Sequence, residues 1–329
     1  MLLRYWPEST NFKFMSLRMG GALLSVLMIT ASIYFLASRG LNLGVDFAGG
    51  TVMEIQQTET VTVETIRAAM PFPAEVNSAV GTDARAIIVV KFGAADPSKL
   101  GEEFTTLKPE AQAERAQQVT NDIVKDTLME KLGLTDNDFL RDDSVGPKVS
   151  GELFRSGILA LVCALALMLA YIWFRFEWQF SVGAVAALAH DVIITLGVFS
   201  LLQLEFNLTT IAALLTIIGY SMNDTVVVFD RVREERRKYK KMPDRQVIDQ
   251  SLNMTLSRTL LTSGTTLLAL FAIFFLGGPV LRGMSFALIW GIFIGTYSSV
   301  FIASAIVLSL GMDLNKKPAE DVTGFQGTS

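Results

Sequence analysis

The sequence IGYSMNDTVVVFDRVREE, residues 218–235, joins a long apolar run to a strongly charged segment. Asp224 follows Asn223 inside the apolar part, and the sequence then stays apolar as far as Phe229. An acidic side chain at the centre of a membrane-spanning helix costs about 2.5–3.5 kcal/mol on insertion scales, so such residues usually face a bundle interior and have a function. The stretch therefore predicts that Asp224 is the proton-binding centre of a membrane protein.

The composition also indicates a membrane protein. The 329 residues are 51% hydrophobic and 18% charged, with a net charge of −4, and the mean hydropathy is +0.43. Soluble domains carry about 25% charged residues. The only cysteine, Cys163, excludes an intramolecular disulfide and a cysteine metal site, and the single histidine, His190, excludes a histidine-rich metal centre within the chain. We therefore expect no bound cofactor.

Apolar segments predict six transmembrane helices, each near the roughly 20 residues that a span requires. The predicted spans are residues 19–38, 153–174, 180–202, 207–229, 259–277 and 283–310. A cleaved signal peptide is the alternative for the first, since Ala37 and Ser38 are small, but its apolar run is longer than a signal core and further spans follow. The other segments are an N-terminus at 1–18, a polar region at 39–152, a loop at 230–258 and a tail at 311–329.

Residues 39–152 are polar and predict a folded α+β domain between the first two spans. Strands are predicted at 51–57, 75–80, 86–92 and 139–145, and helices at 63–70 and 109–132. The order β-α-β-β-α-β is that of a ferredoxin-like split βαβ unit. Gly49 and Gly50 predict a backbone turn before the first strand, without the strand–turn–helix setting of a phosphate loop.

Basic residues in the short connections predict the orientation. They lie in the N-terminal segment, at Arg175, throughout 230–258 and in the tail, whereas the turns after the third and fifth spans hold one base, Arg282. Because Lys and Arg are enriched in cytoplasmic loops, both termini are expected in the cytoplasm. Domain 39–152 is then expected in the periplasm of a bacterium with two membranes. The basic loop is interpreted as a topology determinant and a solvated face, not as a nucleic-acid site.

Arg258, at the start of the fifth predicted span, is the expected partner of Asp224. Thr262 and Thr266 follow Arg258 at a spacing of four residues, so the three share one helix face. We expect this face to meet the polar side chains of the antiparallel fourth span. Those side chains are Ser221, Asp224 and Thr225.

An Asp–Arg pair in a low dielectric is suited to a proton switch, because burial and a guanidinium shift the proton affinity of a carboxyl in opposite directions. One charge crossing the membrane releases about 2.3 kcal/mol per 100 mV, so repeated cycles could drive conformational work. The primary predicted site is Asp224, Arg258 and Thr262. The alternative is a static buried ion pair, or a position close enough to the cytoplasmic edge to reach water.

His190 and Asp191 interrupt the third predicted span. Adjacent residues on a helix point about 100° apart, so the two are not expected to face one site equally. Either they take part in coupling, or they serve helix packing or the satisfaction of polar groups. The secondary site candidates are Ser221, Asn223, Thr225, His190 and Asp191.

Four motifs resemble the SecD/SecF family, and together with the spans between them the likeness covers nearly all of the chain. They are GVDFAGGT at 44–51, VGPKVSGEL at 145–153, NDTVVVFDR at 223–231 and RTLLTSGTT at 258–266. The last two resemble the signature of the SecF members in particular. Much of 53–137 and the tail carries no such motif.

The resemblance implies a subunit of the bacterial Sec protein-export system, within the proton-driven resistance–nodulation–division superfamily. Such subunits aid late, ATP-independent steps of translocation across the inner membrane. The implied partners are SecD, the SecYEG channel, YajC, the unfolded exported polypeptide and membrane lipid. The functional Asp, Arg and Thr of the family match Asp224, Arg258 and Thr262. The family motif outside the first span includes Asp46, Phe47, Gly49 and Gly50 here.

The full transporter unit of that family has twice as many spans as are predicted here. The chain is therefore expected to work beside a SecD-like half that carries another intramembrane Asp. Two alternatives remain: a half-transporter of the same superfamily for small molecules or lipids, and a non-conducting scaffold of the translocon. An enzyme is not expected, because the sequence offers no nucleophile–base pair.

Overall fold

The structure, a computed structural model, describes residues 10–81, 85–96 and 109–312. Predictions for the start of the N-terminal segment and for nearly all of the tail lie outside the described residues. The elements in chain order are α1 (Arg18–Arg39), β1 (Asn42–Leu43), α2 (Val45–Ala48), β2 (Gly50–Gln56), α3 (Val63–Ala69), β3 (Glu75–Val80), β4 (Ala86–Phe92), α4 (Pro109–Leu132), β5 (Phe139–Val145), α5 (Pro147–Arg175), α6 (Trp178–Leu202), β6 (Glu205–Phe206), α7 (Leu208–Lys238), α8 (Asp244–Leu276), α9 (Gly278–Ser298) and α10 (Ser304–Leu310).

Six helices of the described chain are long and apolar enough to cross a membrane, as predicted. They are α1, α5, α6, α7, α8 and a last helix in which α9 continues through a π-helical segment, Ser299–Ala303, into α10. The apolar windows of α6 and α7 are 56% buried and that of the last helix is 50% buried, against 17% for α1 and α8 and 11% for α5. Helices α6 and α7 and the last helix therefore form the centre of the bundle.

Glycines allow the central helices to approach closely. A Cβ added to Gly291 on α9 would lie 2.3 Å from Ile217 on α7, and one added to Gly295 would lie 3.0 Å from Ser221. Small residues at helix contacts are typical of membrane bundles, because packing there replaces the hydrophobic driving force available in water.

The predicted loop at 230–258 is wrong in its conformation, since only residues 239–243 lie outside helices there. Arg231 forms ion pairs with Glu234 at 2.6 Å and Glu235 at 3.2 Å, one turn further along α7. Pairs at these spacings stabilise an exposed helix. The charge run thus shows where α7 stops being apolar, and it does not mark the end of the helix.

The residues between α1 and α5 form a small α+β domain, and its predicted order of four strands and two helices is confirmed. The strands make one antiparallel sheet in the order β3-β4-β2-β5. Its core joins the sheet to α3 and α4 through side chains that are fully buried. These include Ile55, Ile66, Ile88, Val90 and Leu128.

A second, two-stranded sheet was not predicted. Asn42 and Leu43 of β1 pair in parallel with Glu205 and Phe206 of β6, between α6 and α7. The pairing joins segments that are far apart in the sequence, and each strand has only two residues, so no periodicity signals it. It attaches the start of the outer domain to the connection between two central helices.

Substitution of Gly50 tests this junction. Gly50 has φ +132°, and an added Cβ would lie 2.7 Å from the carbonyl oxygen of Phe92. We expect Gly50→Ala to destabilise the outer domain by about 1–3 kcal/mol, the usual cost of a strained backbone conformation. The measurement is thermal unfolding of the purified full chain, with limited proteolysis of the domain as a second readout.

Gly93→Ala is the matched control, because an added Cβ at Gly93 meets nothing within 4 Å. Equal stability of the Gly50 and Gly93 variants would contradict the steric account of the junction.

Candidate functional site

Asp224 lies within α7 with 3% of its surface exposed, whereas the neighbouring Asn223 is exposed. Across residues 10–81, 85–96 and 109–312, no hydrogen bond or ion pair reaches the Asp224 carboxylate. The charge that acts on it electrostatically is that of Arg258 on α8. Arg258 is exposed and forms no direct ion pair with Asp224. The predicted partners are thus coupled through space and not by a contact.

The predicted polar face of α8 uses its hydroxyl groups on its own backbone. Thr262 Oγ1 donates to the carbonyl oxygen of Arg258 at 3.1 Å, and Thr266 Oγ1 donates to that of Thr262 at 2.8 Å. Such back-bonding satisfies a hydroxyl inside an apolar helix without an external partner. The described contacts therefore give Thr262 no side-chain partner on α7.

The expected contact of Ser221 and Thr225 with that face is wrong. Ser221 Oγ donates to Asp191 Oδ2 at 2.6 Å, and Thr225 Oγ1 lies 2.9 Å from Ser299 Oγ. Both contacts point towards α6 and the last helix.

His190 and Asp191 form a buried, hydrogen-bonded polar cluster within the bundle. Their side chains are 2% and 1% exposed, and His190 Nδ1 lies 2.9 Å from Asp191 Oδ1. Asp191 Oδ2 accepts from Ser221 and, at 2.8 Å, from Ser298. The two side chains contact each other although their Cα–Cβ directions differ, and each has different further partners.

The cluster continues to the first helix. His190 Nε2 lies 3.2 Å from Ser25 Oγ, which lies 3.0 Å from the hydroxyl of Tyr297. That hydroxyl donates to the carbonyl oxygen of Gly21 at 2.6 Å. The network therefore connects α1, α6, α7 and α9, including residues that sequence reasoning missed. The run YSS at 297–299 in an apolar span was the available signal.

The motif outside the first span also makes specific contacts. The backbone N–H of Leu208, the first residue of α7, donates to Asp46 Oδ2 at 2.9 Å. The ring of Phe47 packs 5.4 Å from that of Phe154 and 5.7 Å from that of Phe206. Gly49 has φ +73°, which continues the chain from α2 into β2.

Asp191 and Asp224 thus have opposite surroundings. Asp191 accepts hydrogen bonds from Ser221 and Ser298 and contacts His190, and such satisfied polar networks make a packing arrangement specific. Asp224 has no described hydrogen-bond partner, although burying an ionised carboxylate without one is costly. Gain or loss of a proton at Asp224 would therefore change how favourably α7 packs.

Two family models match the chain. The model described as protein export membrane protein SecD/SecF, C-terminal, matches residues 124–313, and that of the SecD/SecF GG motif matches residues 34–58. The chain belongs to the SecD/SecF family. The resemblance seen in the four sequence motifs is therefore confirmed.

Relatives similar over most of their length carry one name. The chain is 44% identical to the protein translocase subunit SecF of Cereibacter sphaeroides over 326 residues, covering 98% of this chain and 97% of the relative. It is 39% identical to that of Escherichia coli O157:H7 over 289 residues, covering 88% and 84%.

Two solved structures share the fold. The crystal structure of SecDF from Thermus thermophilus, described as a translocon-associated membrane protein, aligns with a TM-score of 0.74 at 36% identity. SecDF in its super-membrane-facing form aligns with a TM-score of 0.66, also at 36% identity. Each alignment covers 93% of this chain but only 39% of the solved chain.

Leucine substitutions at Asp191 and Asp224 should have different effects on stability. We expect Asp191→Leu to lower the free energy of unfolding by about 1–3 kcal/mol for each buried polar group left without a partner. Asp224→Leu should be neutral or stabilising, because it removes a buried carboxylate without breaking a described hydrogen bond. Thermal unfolding of the purified protein in detergent measures both. Equal destabilisation by the two substitutions would contradict the contrast.

Proposed function

We propose that this chain is a subunit of the bacterial Sec protein-export machinery. With a SecD partner, it uses the proton-motive force to promote late steps of polypeptide translocation across the inner membrane. Family membership and near full-length similarity to proteins named protein translocase subunit SecF support the export role. The buried Asp224 is the observation that carries proton coupling.

Protonation of Asp224 is the proposed driving event. Its carboxylate is buried without a described hydrogen-bond partner, and Arg258 acts on it from α8. A proton from one side of the membrane neutralises the carboxylate, and its release to the other side restores the attraction to Arg258. Thr262, whose hydroxyl donates to the carbonyl oxygen of Arg258, affects the local geometry of α8 at Arg258. His190 and Asp191 hold α6 fixed against α7 while this happens.

A SecD-like half is the proposed partner at the exposed polar residues of α7 and α8. Asn223 and Arg258 are both exposed in a chain that accounts for 39% of the solved SecDF chain. Polar groups on a lipid-facing helix surface are costly, so a partner surface is the better environment. SecYEG, YajC and the unfolded exported polypeptide are further proposed partners, in a complex surrounded by lipid.

The proposed orientation puts both termini in the cytoplasm and residues 39–152 in the periplasm. Basic side chains cluster at the end of α7 that is remote from the outer domain. Ion pairs there join Arg175 to Asp230, Arg233 to Glu177 and Arg236 to Asp244. Enrichment of basic residues on the cytoplasmic side supports this orientation. The strand order β3-β4-β2-β5 supports a ferredoxin-like domain.

Asp224→Asn tests the proposal. In vesicles containing the chain, its SecD partner and the channel, we expect the variant to lose the part of late-step export that depends on the proton gradient, because the amide cannot take up and release a proton. Export of a labelled precursor is measured at limiting ATP, with the gradient present and then collapsed. Co-purification of the partner should be unchanged.

Asp230→Asn is the matched control, since it makes the same chemical change at an exposed position of the same helix. It loses only the exposed pair with Arg175, which is worth about 0–1 kcal/mol. Normal gradient-dependent export by Asp224→Asn would refute the proposal. Lost tolerance to drugs or altered lipid export, with protein export normal, would favour a small-molecule or lipid transporter. If Asp224→Asn and Arg258→Met both export normally while deletion of the whole chain impairs export, a scaffold role would be favoured.

A further inference from the structure

Residues 44–50 lie at the junction of the outer domain and the membrane helices. On the membrane side, the N–H of Gly44 donates to the carbonyl oxygen of Phe206 at 2.9 Å, which extends the contact of β1 with β6. On the other side, Gly50 is the first residue of β2 and pairs with Val145 of β5. The segment is therefore in direct contact with both parts of the molecule.

Asp46 caps the helix that carries Asp224. The first N–H groups of a helix have no partners within it. Asn207 satisfies that of Thr210 at 3.1 Å, and Asp46 accepts from the N–H of Leu208 at 2.9 Å. A carboxylate at a helix N-terminus is also favoured by the helix dipole. The end of α7 is thus fixed by a side chain from the segment that begins the outer domain.

A second contact joins the sheet itself to the same place. Lys91 of β4 forms an ion pair with Glu205 of β6, and their side chains are 27% and 31% exposed. Lys91 lies opposite Val52 of β2 in the sheet. The connection 203–207 between α6 and α7 is therefore held both by the motif and by the centre of the sheet.

The connectors on either side of the sheet leave little freedom. Gly49 alone separates α2 from β2, and Gly146 alone separates β5 from α5. A Cβ on Gly49 would lie 3.4 Å from Ser150 Oγ on α5. Flexible linkers, which would let the domain move independently of the helices, do not occur at these two points of the described chain.

We infer that residues 44–50 form a rigid coupling through which movement of α7 is transmitted to the outer domain, with Asp46 and the Lys91–Glu205 pair as its two positioning contacts. Asp224 lies about 24 Å from Leu208 along one uninterrupted helix, at a rise of about 1.5 Å per residue. A displacement of α7 on protonation then moves the sheet. This inference rests on the proposed proton-coupled function.

One pair of introduced cysteines can test the coupling in a single protein, which is compared in its reduced and oxidised forms. Asn42→Cys with Glu205→Cys, in a Cys163→Ala background, removes the ion pair to Lys91 and puts two thiols on paired strand positions. Neighbouring strands lie about 4.8 Å apart, a Cα separation that a disulfide can span. The reduced protein lacks the contact of β4 with β6, and in the oxidised protein a covalent bond between β1 and β6 instead holds the start of segment 44–50 against the connection 203–207.

We expect gradient-dependent export to fall by about 5-fold or more in the reduced protein, the lower range of typical coupling effects. Oxidation should restore it, because a rigid coupling stays closed throughout the cycle. Asn42→Cys alone is the control, since it leaves the Lys91–Glu205 pair intact. Full activity of the reduced protein, or loss of activity on oxidation, would overturn the inference.

Asp46 is tested by a pair of substitutions. Asp46→Ala removes the acceptor of the Leu208 N–H, whereas Asp46→Asn keeps an oxygen acceptor at the same position. We expect Asp46→Ala to lower gradient-dependent export and Asp46→Asn to restore most of it, with protein abundance and partner co-purification equal in both. Equal export by the two variants would contradict the capping role.

Asp224→Asn in the same assay distinguishes a failure of the coupling from a failure of the proposed function. If it has no effect on export, the proposed function itself is wrong. If it abolishes the gradient-dependent part while the reduced cysteine pair and Asp46→Ala do not alter it, only the coupling through residues 44–50 is refuted.

Discussion

A carboxylate inside an apolar helix bundle must be hydrogen bonded or else raise the free energy of the folded state. Asp191 and Asp224 illustrate the two cases within the described helices. Asp191 accepts hydrogen bonds from two serines and contacts His190, so α6 is joined to its neighbours at that level. Asp224, one turn beyond Ser221 on α7, has no such partners and is influenced by Arg258 from a distance.

This contrast divides the bundle into a fixed part and a part that can respond. The polar network and the glycine contacts between α7 and α9 keep the central helices closely packed. Towards α8, the nearest such contact before Asp224 is longer, the hydroxyl of Tyr220 donating to Ser263 Oγ at 3.4 Å. In the proposed function, a charge change at Asp224 would act on the contact between α7 and α8.

The outer domain is built into the same arrangement. Its sheet begins directly after the motif that contacts the first residue of α7, and Lys91 reaches the connection that precedes this helix. Gly49 and Gly50 both have positive φ at this short junction. Gly49 alone separates α2 from β2, so the chain has to change direction within one or two residues.

The sequence alone determined the six apolar helices, the inserted α+β domain and the position of an acidic residue within the fourth span. These features depend on local composition and periodicity, which each segment carries by itself. Only the tertiary structure decided which polar groups meet, because contacts such as Ser25 with His190 or Asp46 with Leu208 join residues more than 160 positions apart. Helix spacing predicted a shared face for Arg258 and Thr262 but could not give the rotation of α7, which turns Ser221 and Thr225 towards α6 and the last helix.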